Sequence, residues 1–76
     1  MVNTKAIKER MDERNVSFDD LGRELKKAPV TVRQKIANVR PIFLDEAEII
    51  QHALEIPDDQ FVPYFLVKNP PESREP

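Results

Sequence analysis

The sequence predicts an all-α fold, built as one compact domain of five short helices. Apolar residues recur at the spacing of helices with one buried face. A single glycine and few aromatic residues disfavour a sheet joined by tight hairpins. The length of 76 residues allows one small core. We assign the domain to residues 1–67 and expect residues 68–76, a proline-rich polar segment, to form a disordered tail.

The first predicted helix runs from Thr4 to Arg14. Ile7 and Met11 form an apolar pair at i, i+4, and charged residues cover the solvent side. Asn3 or Thr4 can cap the N-terminus. We interpret the charges as a solvated face and not as a binding site.

The second helix has the clearest start in the chain, at Ser17. Ser17 together with Asp20 resembles a capping box, and Val16 with Leu21 occupies the positions of a hydrophobic staple. Leu21 and Leu25 predict the buried stripe of this helix.

Gly22 lies inside this second helix, where glycine costs roughly 0.5–1 kcal/mol relative to alanine. It is either a tolerated weakness or a point where two helices approach closely, and the family pattern given below favours the close approach. A tight turn, Lys-Lys-Ala, follows at residues 26–28.

The third predicted helix extends from Pro29 to Asn38. Proline suits the first turn of a helix because its missing N–H needs no partner there, whereas Ala28 is a poor cap. The helix ends before Arg40-Pro41, since a residue that precedes proline avoids the α region. Its predicted buried stripe consists of Val32, Ile36 and Val39. The opposite face, at about 100° per residue, presents Val30, Arg33, Gln34, Ala37 and Asn38.

The fourth helix is predicted from Asp45 to Leu54. Its buried stripe consists of Ile49, Ile50, Ala53 and Leu54. Acidic side chains crowd its first turns at Asp45, Glu46 and Glu48. They complement the helix dipole, which explains them without a catalytic role. His52 is interpreted as a surface or half-buried residue and not as a metal ligand.

The fifth helix, from Asp58 to about Phe65, carries the aromatic residues Phe61, Tyr64 and Phe65. We expect them to close the bottom of the core, and the alternative is that a subset forms a dimer contact. Pro63 falls inside the segment, so the helix must be short or kinked there.

Charge is distributed unevenly along the chain. The net charge is −2, yet residues 22–42 carry six basic residues and one acid, a local charge of +5. Residues 43–76 carry eight acids and two bases, a local charge of −6. An acidic far side can orient a basic centre toward an anionic partner. The outward face of the third helix lacks acids, and its Arg and Gln can pair with base edges in a major groove.

Composition argues against several classes of function. The absence of cysteine excludes a disulfide and a thiolate metal site, and with a single histidine almost nothing is left for a transition-metal site or a nucleophile–base pair. We therefore predict no enzyme activity, no cofactor and no small-molecule substrate. No apolar run approaches the roughly 20 residues that cross a bilayer, and the polar residues 1–5 lack the pattern of a secretory signal. We expect a cytoplasmic protein without a membrane partner.

Several short motifs form a family pattern. They are Leu21-Gly22-x-x-Leu25, Thr31-Val32 with Ile36, Arg40-Pro41 leading into Leu44-Asp45-Glu46-Ala47, and the segment from Ile56-Pro57 to Tyr64-Phe65-Leu66. As a set they resemble the lambda-repressor-like (Cro/CI-type, XRE) helix-turn-helix family, and small phage-associated regulators of Firmicutes in particular. The resemblance covers residues 1–66 and implies a helix-turn-helix at about residues 17–39. Three residues depart from the family: Lys26 replaces a common turn glycine, Lys27 an apolar anchor and Ala28 a Ser or Thr cap.

The resemblance also implies two sets of DNA contacts. Base contacts would come from Ala28, Pro29, Val30, Arg33, Gln34 and Ala37. Phosphate contacts, which set register, would come from Arg23, Lys26, Lys27, Thr31, Lys35, Asn38 and Arg40. Arg33 would suit guanine, Gln34 adenine and Val30 a thymine methyl group. The alternative for each residue is an ordinary solvent-exposed side chain.

The expected function is that of a sequence-specific transcriptional regulator, a Cro/CI-type repressor of phage or mobile-element origin that binds a double-stranded DNA operator through helix 29–38. Symmetric dimers usually read such operators. Since a small domain offers little surface, we expect a weak homodimer or one that forms only on DNA. The alternative is a protein-interaction module on the same fold, an antirepressor or inhibitor, which the net acidity and the abnormal turn favour.

Overall fold

A computed structural model describes residues 1–68 of the chain. Its five α-helices are α1 (Thr4–Arg14), α2 (Phe18–Leu25), α3 (Pro29–Ile36), α4 (Leu44–Ala53) and α5 (Phe61–Phe65). A short 3₁₀ helix, Asp58–Gln60, directly precedes α5, and residues 1–68 contain no strand. The all-α prediction is confirmed. The predicted tail lies, apart from Lys68, outside the described residues.

The core is formed by apolar side chains from all five α-helices and the segments beside them. Its buried members are Val2, Ile7, Met11, Leu21, Leu25, Val32, Ile36, Ala47, Ile50, Leu54, Ile56 and Phe65. α2 packs against both α3 and α4, and α1 packs against α5. The Cα radius of gyration is 11.3 Å, close to the value of about 11 Å for a compact chain of this length.

The helix ends follow local rules that are visible in the sequence. Asn3 caps α1, because its side-chain oxygen accepts a hydrogen bond from the Ala6 N–H at 3.2 Å. Ser17 and Asp20 form a reciprocal capping box at α2, with hydrogen bonds of 3.1 and 2.9 Å. Both predictions are confirmed, and both caps satisfy backbone donors that have no partner inside the helix.

The end of α3 differs from its predicted position. The helix stops at Ile36, and Asn38 adopts a left-handed backbone with φ 64°. The chain leaves the helical path there, so Val39 is 70% exposed and does not continue the buried stripe of Val32 and Ile36. The prediction of Val39 as a core residue is wrong, because it extended the helical period past the last helical turn.

The last two helices also begin at different residues than expected. α4 spans Leu44–Ala53, one residue earlier than predicted at each end. The segment predicted as one helix from Asp58 is divided, since the α-helical part begins at Phe61. Pro63 therefore falls in the first turn of α5, where a missing N–H leaves no unpaired acceptor.

The N-terminal segment ties the end of α3 to the C-terminal part of the domain. The Asn38 side chain exchanges two hydrogen bonds with the backbone of Val2, at 2.8 and 2.9 Å. The Thr4 hydroxyl donates to the Ile36 carbonyl at 2.7 Å. On the other side, the Asn3 N–H donates to the Tyr64 carbonyl at 2.8 Å. α3 is thus anchored at its C-terminal end by contacts distant in sequence. Within residues 1–68, every helix is too short or too polar to span a bilayer.

Candidate functional site

The candidate site is built on α2, the turn at residues 26–28 and α3. Leu21 and Leu25 of α2 and Val32 and Ile36 of α3 are buried together in the core, which fixes the inner sides of both helices. α2 ends at Leu25, and its C-cap Lys26 adopts a left-handed backbone with φ 58°, so the chain leaves the helical path there. The Lys27 N–H then donates to the Gly22 carbonyl at 3.0 Å and closes the last turn of α2.

Gly22 permits the turn to lie close against α2. A Cβ atom at this position would be 2.7 Å from the Lys27 carbonyl oxygen and 3.5 Å from the backbone nitrogen of Pro29. A close approach at Gly22 is present, but the nearest atom belongs to the backbone of the turn, and α3 contributes only its first residue, Pro29. Any side chain here would push the turn, and with it the start of α3, outward.

The N-terminal end of α3 is open to solvent. Ala28 makes no side-chain cap, and its carbonyl accepts from the N–H groups of Thr31 and Val32 at 3.0 and 3.2 Å. Ala28, Pro29 and Val30 are all exposed. Arg33 and Ala37 follow Pro29 at intervals of four residues, so they continue the same exposed side of the helix.

We call the six residues predicted to contact bases the α3 face: Ala28, Pro29, Val30, Arg33, Gln34 and Ala37. Five of them are exposed and Gln34 is half-buried. In the part of the chain that the structure describes, the side chains of Arg33 and Gln34 form no hydrogen bond or ion pair. No side chain or backbone group among residues 1–68 therefore occupies their polar atoms.

Four of the seven predicted phosphate contacts are exposed basic residues, which we call the basic rim: Arg23, Lys26, Lys27 and Arg40. Arg23, Lys26 and Lys27 line one shallow depression together with Pro29, at the N-terminal end of the α3 face. Arg40 lies beyond the other end of α3. Arg23 forms an ion pair with Asp20, but exposed pairs of this kind are worth at most about 1 kcal/mol and exchange readily. Basic charge therefore lies at both ends of the α3 face.

Two of the predicted phosphate contacts have a different placement from the one expected. Lys35 is only 7% exposed, and its amine donates to Glu46 Oε1 at 3.0 Å and to the Pro41 carbonyl at 3.1 Å. The Asn38 side chain is occupied by the backbone of Val2. Since these polar groups already have protein partners, we leave both residues out of the proposed contacts. Thr31 is half-buried and stays a prediction.

Glu46 is the residue of this region that the sequence did not reveal. It is 5% exposed, and its Oε1 accepts hydrogen bonds from Lys35 Nζ and from the Phe43 N–H, both at 3.0 Å. Its Oε2 lies 3.7 Å from Lys27 Nζ. One signal for this role is visible in the sequence, because Glu46 is three residues after Phe43, the position from which an acid caps its own helix.

The electrostatics of Glu46 follow from these partners. Burial raises the pKa of the Glu46 carboxyl, but the hydrogen bonds from the Phe43 N–H and Lys35, with the charges of Lys35 and Lys27, outweigh burial and leave the pKa below its ordinary value. Glu46 is therefore a buried carboxylate that is ionised at neutral pH. Lys35 also lies over the ring of Phe43, 4.8 Å from its centroid.

The acids of α4 do not converge on one point. Glu46 is directed at Lys35, whereas Asp45 and Glu48 are exposed and line a depression with Glu24 and Asp58. Residues 1–68 contain no group of three or more His, Cys, Asp or Glu side chains placed to hold a metal ion.

The site thus combines an exposed α3 face without acids, a basic rim and a buried carboxylate behind them. No family model, no curated protein and no solved structure matches this chain. The functional argument therefore rests on the residues of this surface and on their placement.

Proposed function

We propose that the chain is a sequence-specific double-stranded DNA-binding regulator of the lambda-repressor-like (Cro/CI-type, XRE) helix-turn-helix kind, which inserts α3 into a major groove. The observation that carries the proposal is the α3 face. It presents Arg33 and Gln34, without protein partners among residues 1–68, on a short helix whose opposite side is fixed in the core.

The chemistry of the α3 face suits base edges. Arg33 can donate two hydrogen bonds to the O6 and N7 atoms of guanine, and Gln34 can pair with the N6 and N7 atoms of adenine. Val30, which is 46% exposed, offers an apolar group to a thymine methyl. Ala28 and Ala37 are small enough for the helix to approach the groove closely.

The basic rim supports the same proposal, because phosphate contacts at both ends of a helix fix its register on the duplex. In this proposal Arg23, Lys26 and Lys27, which line one depression, contact phosphates at one end of α3, and the exposed Arg40 contacts phosphates at the other end. The acids outside this surface, such as Asp45 and Glu48, disfavour other orientations on DNA.

Sequence-specific binding by so small a surface calls for two half-sites. A homodimer that is weak in solution, or that forms only on DNA, would place two α3 helices about one helical turn apart on a palindromic operator. The resemblance noted from the sequence suggests a phage or mobile-element regulator that acts by occupying such an operator.

The direct test is enrichment of sites from a randomised duplex pool, followed by fluorescence anisotropy on the enriched duplex. We expect a palindromic site and a loss of about 10- to 100-fold in affinity for Arg33→Ala or Gln34→Ala, the scale of one bidentate base contact. Lys8→Ala removes an exposed positive charge from α1, and Gln60→Ala an exposed amide from the 3₁₀ helix, so they are the matched controls. Wild-type affinity of Arg33→Ala and Gln34→Ala for every duplex would refute the proposal.

The second candidate function is a protein-interaction module, an antirepressor or inhibitor that binds another regulator. The depression lined by Glu24, Asp45, Glu48 and Asp58 favours it, because an acidic surface beside the half-buried Ile49 suits a basic segment of a partner protein. Partner binding that is lost on Asp45→Asn and Glu48→Gln, with Arg33→Ala indifferent, would select this function over DNA binding.

A further inference from the structure

The buried carboxylate of Glu46 connects the turn at residues 26–28 and α3 to the start of α4. It lies on α4, and its partners are Lys27 in the turn, Lys35 near the end of α3 and the backbone of Phe43 before α4. Lys27 and Lys35 lie on either side of the exposed N-terminal half of α3. One side chain therefore contacts a residue before Val30, Arg33 and Gln34 and a residue after them.

Stability alone does not account for a carboxylate in this place. A buried ion pair is expensive to desolvate, and apolar residues of similar size often serve the fold as well or better. An ion pair with additional hydrogen bonds has, however, one preferred geometry. Here Glu46 Oε1 is shared by Lys35 and Phe43 at 3.0 Å each, and Lys35 is held further by the Pro41 carbonyl. The arrangement fixes distance and direction between α3 and α4.

We propose that Glu46 is a positioning residue, which sets the orientation of α3 relative to the turn and thereby the sequence specificity of DNA binding. This inference rests on the proposed function. Glu46 also neutralises the charge of Lys35 and part of the charge of Lys27, whose side chain is 41% exposed. It thus limits binding to phosphates at random sites while it supports base contacts at the correct site.

The proposal predicts opposite changes in two affinities of Glu46→Gln. Affinity for the enriched duplex falls, because α3 shifts and Arg33 and Gln34 no longer reach their bases together. Affinity for a random duplex rises, because the Glu46 carboxylate no longer offsets the positive charges of Lys27 and Lys35 near the phosphates. We expect the affinity ratio, the affinity for the enriched duplex divided by that for the random duplex, to fall about 10-fold, the scale of one lost base contact.

Glu48→Gln is the matched control, because it makes the same change of charge on an exposed position of the same helix. Both affinities are measured where circular dichroism shows each variant fully folded. A fall in the ratio for Glu46→Gln alone supports the proposal. Equal rises in both affinities would mean that Glu46 acts only through its charge. Equal falls would mean that it acts only on the stability of the fold. Either result overturns the proposal.

NMR amide shifts supply a measurement that does not depend on DNA. Glu46→Gln should shift the signals of residues 27–36 and leave those of α1 and α5 in place. Unchanged signals over residues 27–36 would overturn the positioning role. If wild type binds no duplex, the proposed function fails, while this comparison still decides whether Glu46 positions α3.

Lys27→Met provides a second variant should Glu46→Gln not fold. It removes the link from Glu46 to the turn together with one positive charge of the basic rim, and it keeps the buried pair of Glu46 with Lys35. Lys26→Met removes the same charge from the neighbouring residue, which has no contact with Glu46 in the described structure. A lower affinity ratio for Lys27→Met than for Lys26→Met supports the proposal, and equal ratios overturn it.

Discussion

At the scale of single residues, Gly22 shows how one missing side chain shapes the site. A helix-interior glycine replaced by alanine normally gains roughly 0.5–1 kcal/mol. Here the added Cβ would be 2.7 Å from the Lys27 carbonyl oxygen, a backbone atom that cannot move without the turn. We expect Gly22→Ala to lower the free energy of unfolding by about 1–3 kcal/mol, the usual cost of overpacking. Urea denaturation measures this value, and a more stable variant would contradict the placement of the turn.

The ionisation of Glu46 makes the free energy of unfolding depend on pH. Its pKa in the folded state lies below the ordinary value of 4.5, so its contribution is complete above about pH 4.5 and is lost as the pH falls through the folded pKa. We expect Glu46→Gln to cost on the order of 3 kcal/mol at pH 7, because Lys35 keeps a buried charge without its partner.

The difference in unfolding free energy between wild type and Glu46→Gln should shrink as the pH is lowered below 4.5. Asp20 also has a lowered pKa, first of all because the Ser17 N–H donates to its carboxylate. Asp20 titrates in both proteins, so its effect cancels in the comparison. Chemical denaturation at several pH values gives the difference, and a constant value between pH 7 and pH 3 would contradict the ionised, paired Glu46.

The burial of individual side chains is the hardest feature of this structure to predict from the sequence. Arg33 and Val30 are exposed as the helical period indicates. Lys35 belongs to the same basic segment, residues 22–42, as the exposed Arg33. It is nevertheless buried, because it forms an ion pair with Glu46, eleven positions later in the chain. No local pattern distinguishes a lysine that will meet a buried acid from one that will meet solvent.

At the scale of elements, α2 and α3 differ in the quality of their N-terminal caps. Ser17 accepts a hydrogen bond from the Asp20 N–H, whereas Ala28 offers no side-chain oxygen. The Ala28 backbone already has the extended conformation of a cap, with φ −63° and ψ 144°. We expect Ala28→Ser to stabilise the domain by about 1 kcal/mol and Ser17→Ala to destabilise it by a similar amount.

Thermal unfolding of these two variants beside wild type tests the comparison. Ala28→Ser adds a side-chain hydroxyl at the N-cap of α3, and Ser17→Ala removes one at the N-cap of α2. A loss of stability in Ala28→Ser would mean that the start of α3 is not the cap described here.

The start of α2 is easier to predict than the end of α3 for a physical reason. The start of α2 depends on residues within four positions of one another, Ser17 and Asp20, which the sequence displays directly. The end of α3 depends on Asn38, whose side chain binds the backbone of Val2 at the far end of the chain. Contacts between distant segments decide where a helix stops, and Val39 was misplaced for that reason.

At the scale of the whole molecule, function depends on the separation of charge and not on its sum. The chain carries a net charge of −2, but the basic rim brings four exposed positive side chains to the ends of one helix face. Each phosphate contact contributes about −0.9 to the slope of log affinity against log salt. We expect a slope of about −3 to −4 for each bound domain on a random duplex.

Anisotropy titrations between low and moderate salt give this slope. Arg40→Ala should make it less steep by about one unit, as should Lys26→Ala. A slope near zero would show that the basic rim does not face phosphates and would favour the protein-interaction module.

The most direct test of whether the α3 face reads base sequence asks whether one protein side chain contacts one base atom. In the enriched operator, each guanine assigned to Arg33 is replaced by 7-deazaguanine, which lacks the N7 acceptor, and affinity is measured for wild type and Arg33→Ala. We expect the base change to weaken wild type about 10-fold and to leave Arg33→Ala unchanged, because the contact is already absent. Equal weakening of both proteins by the altered base would contradict the contact and, with it, the proposed role of α3.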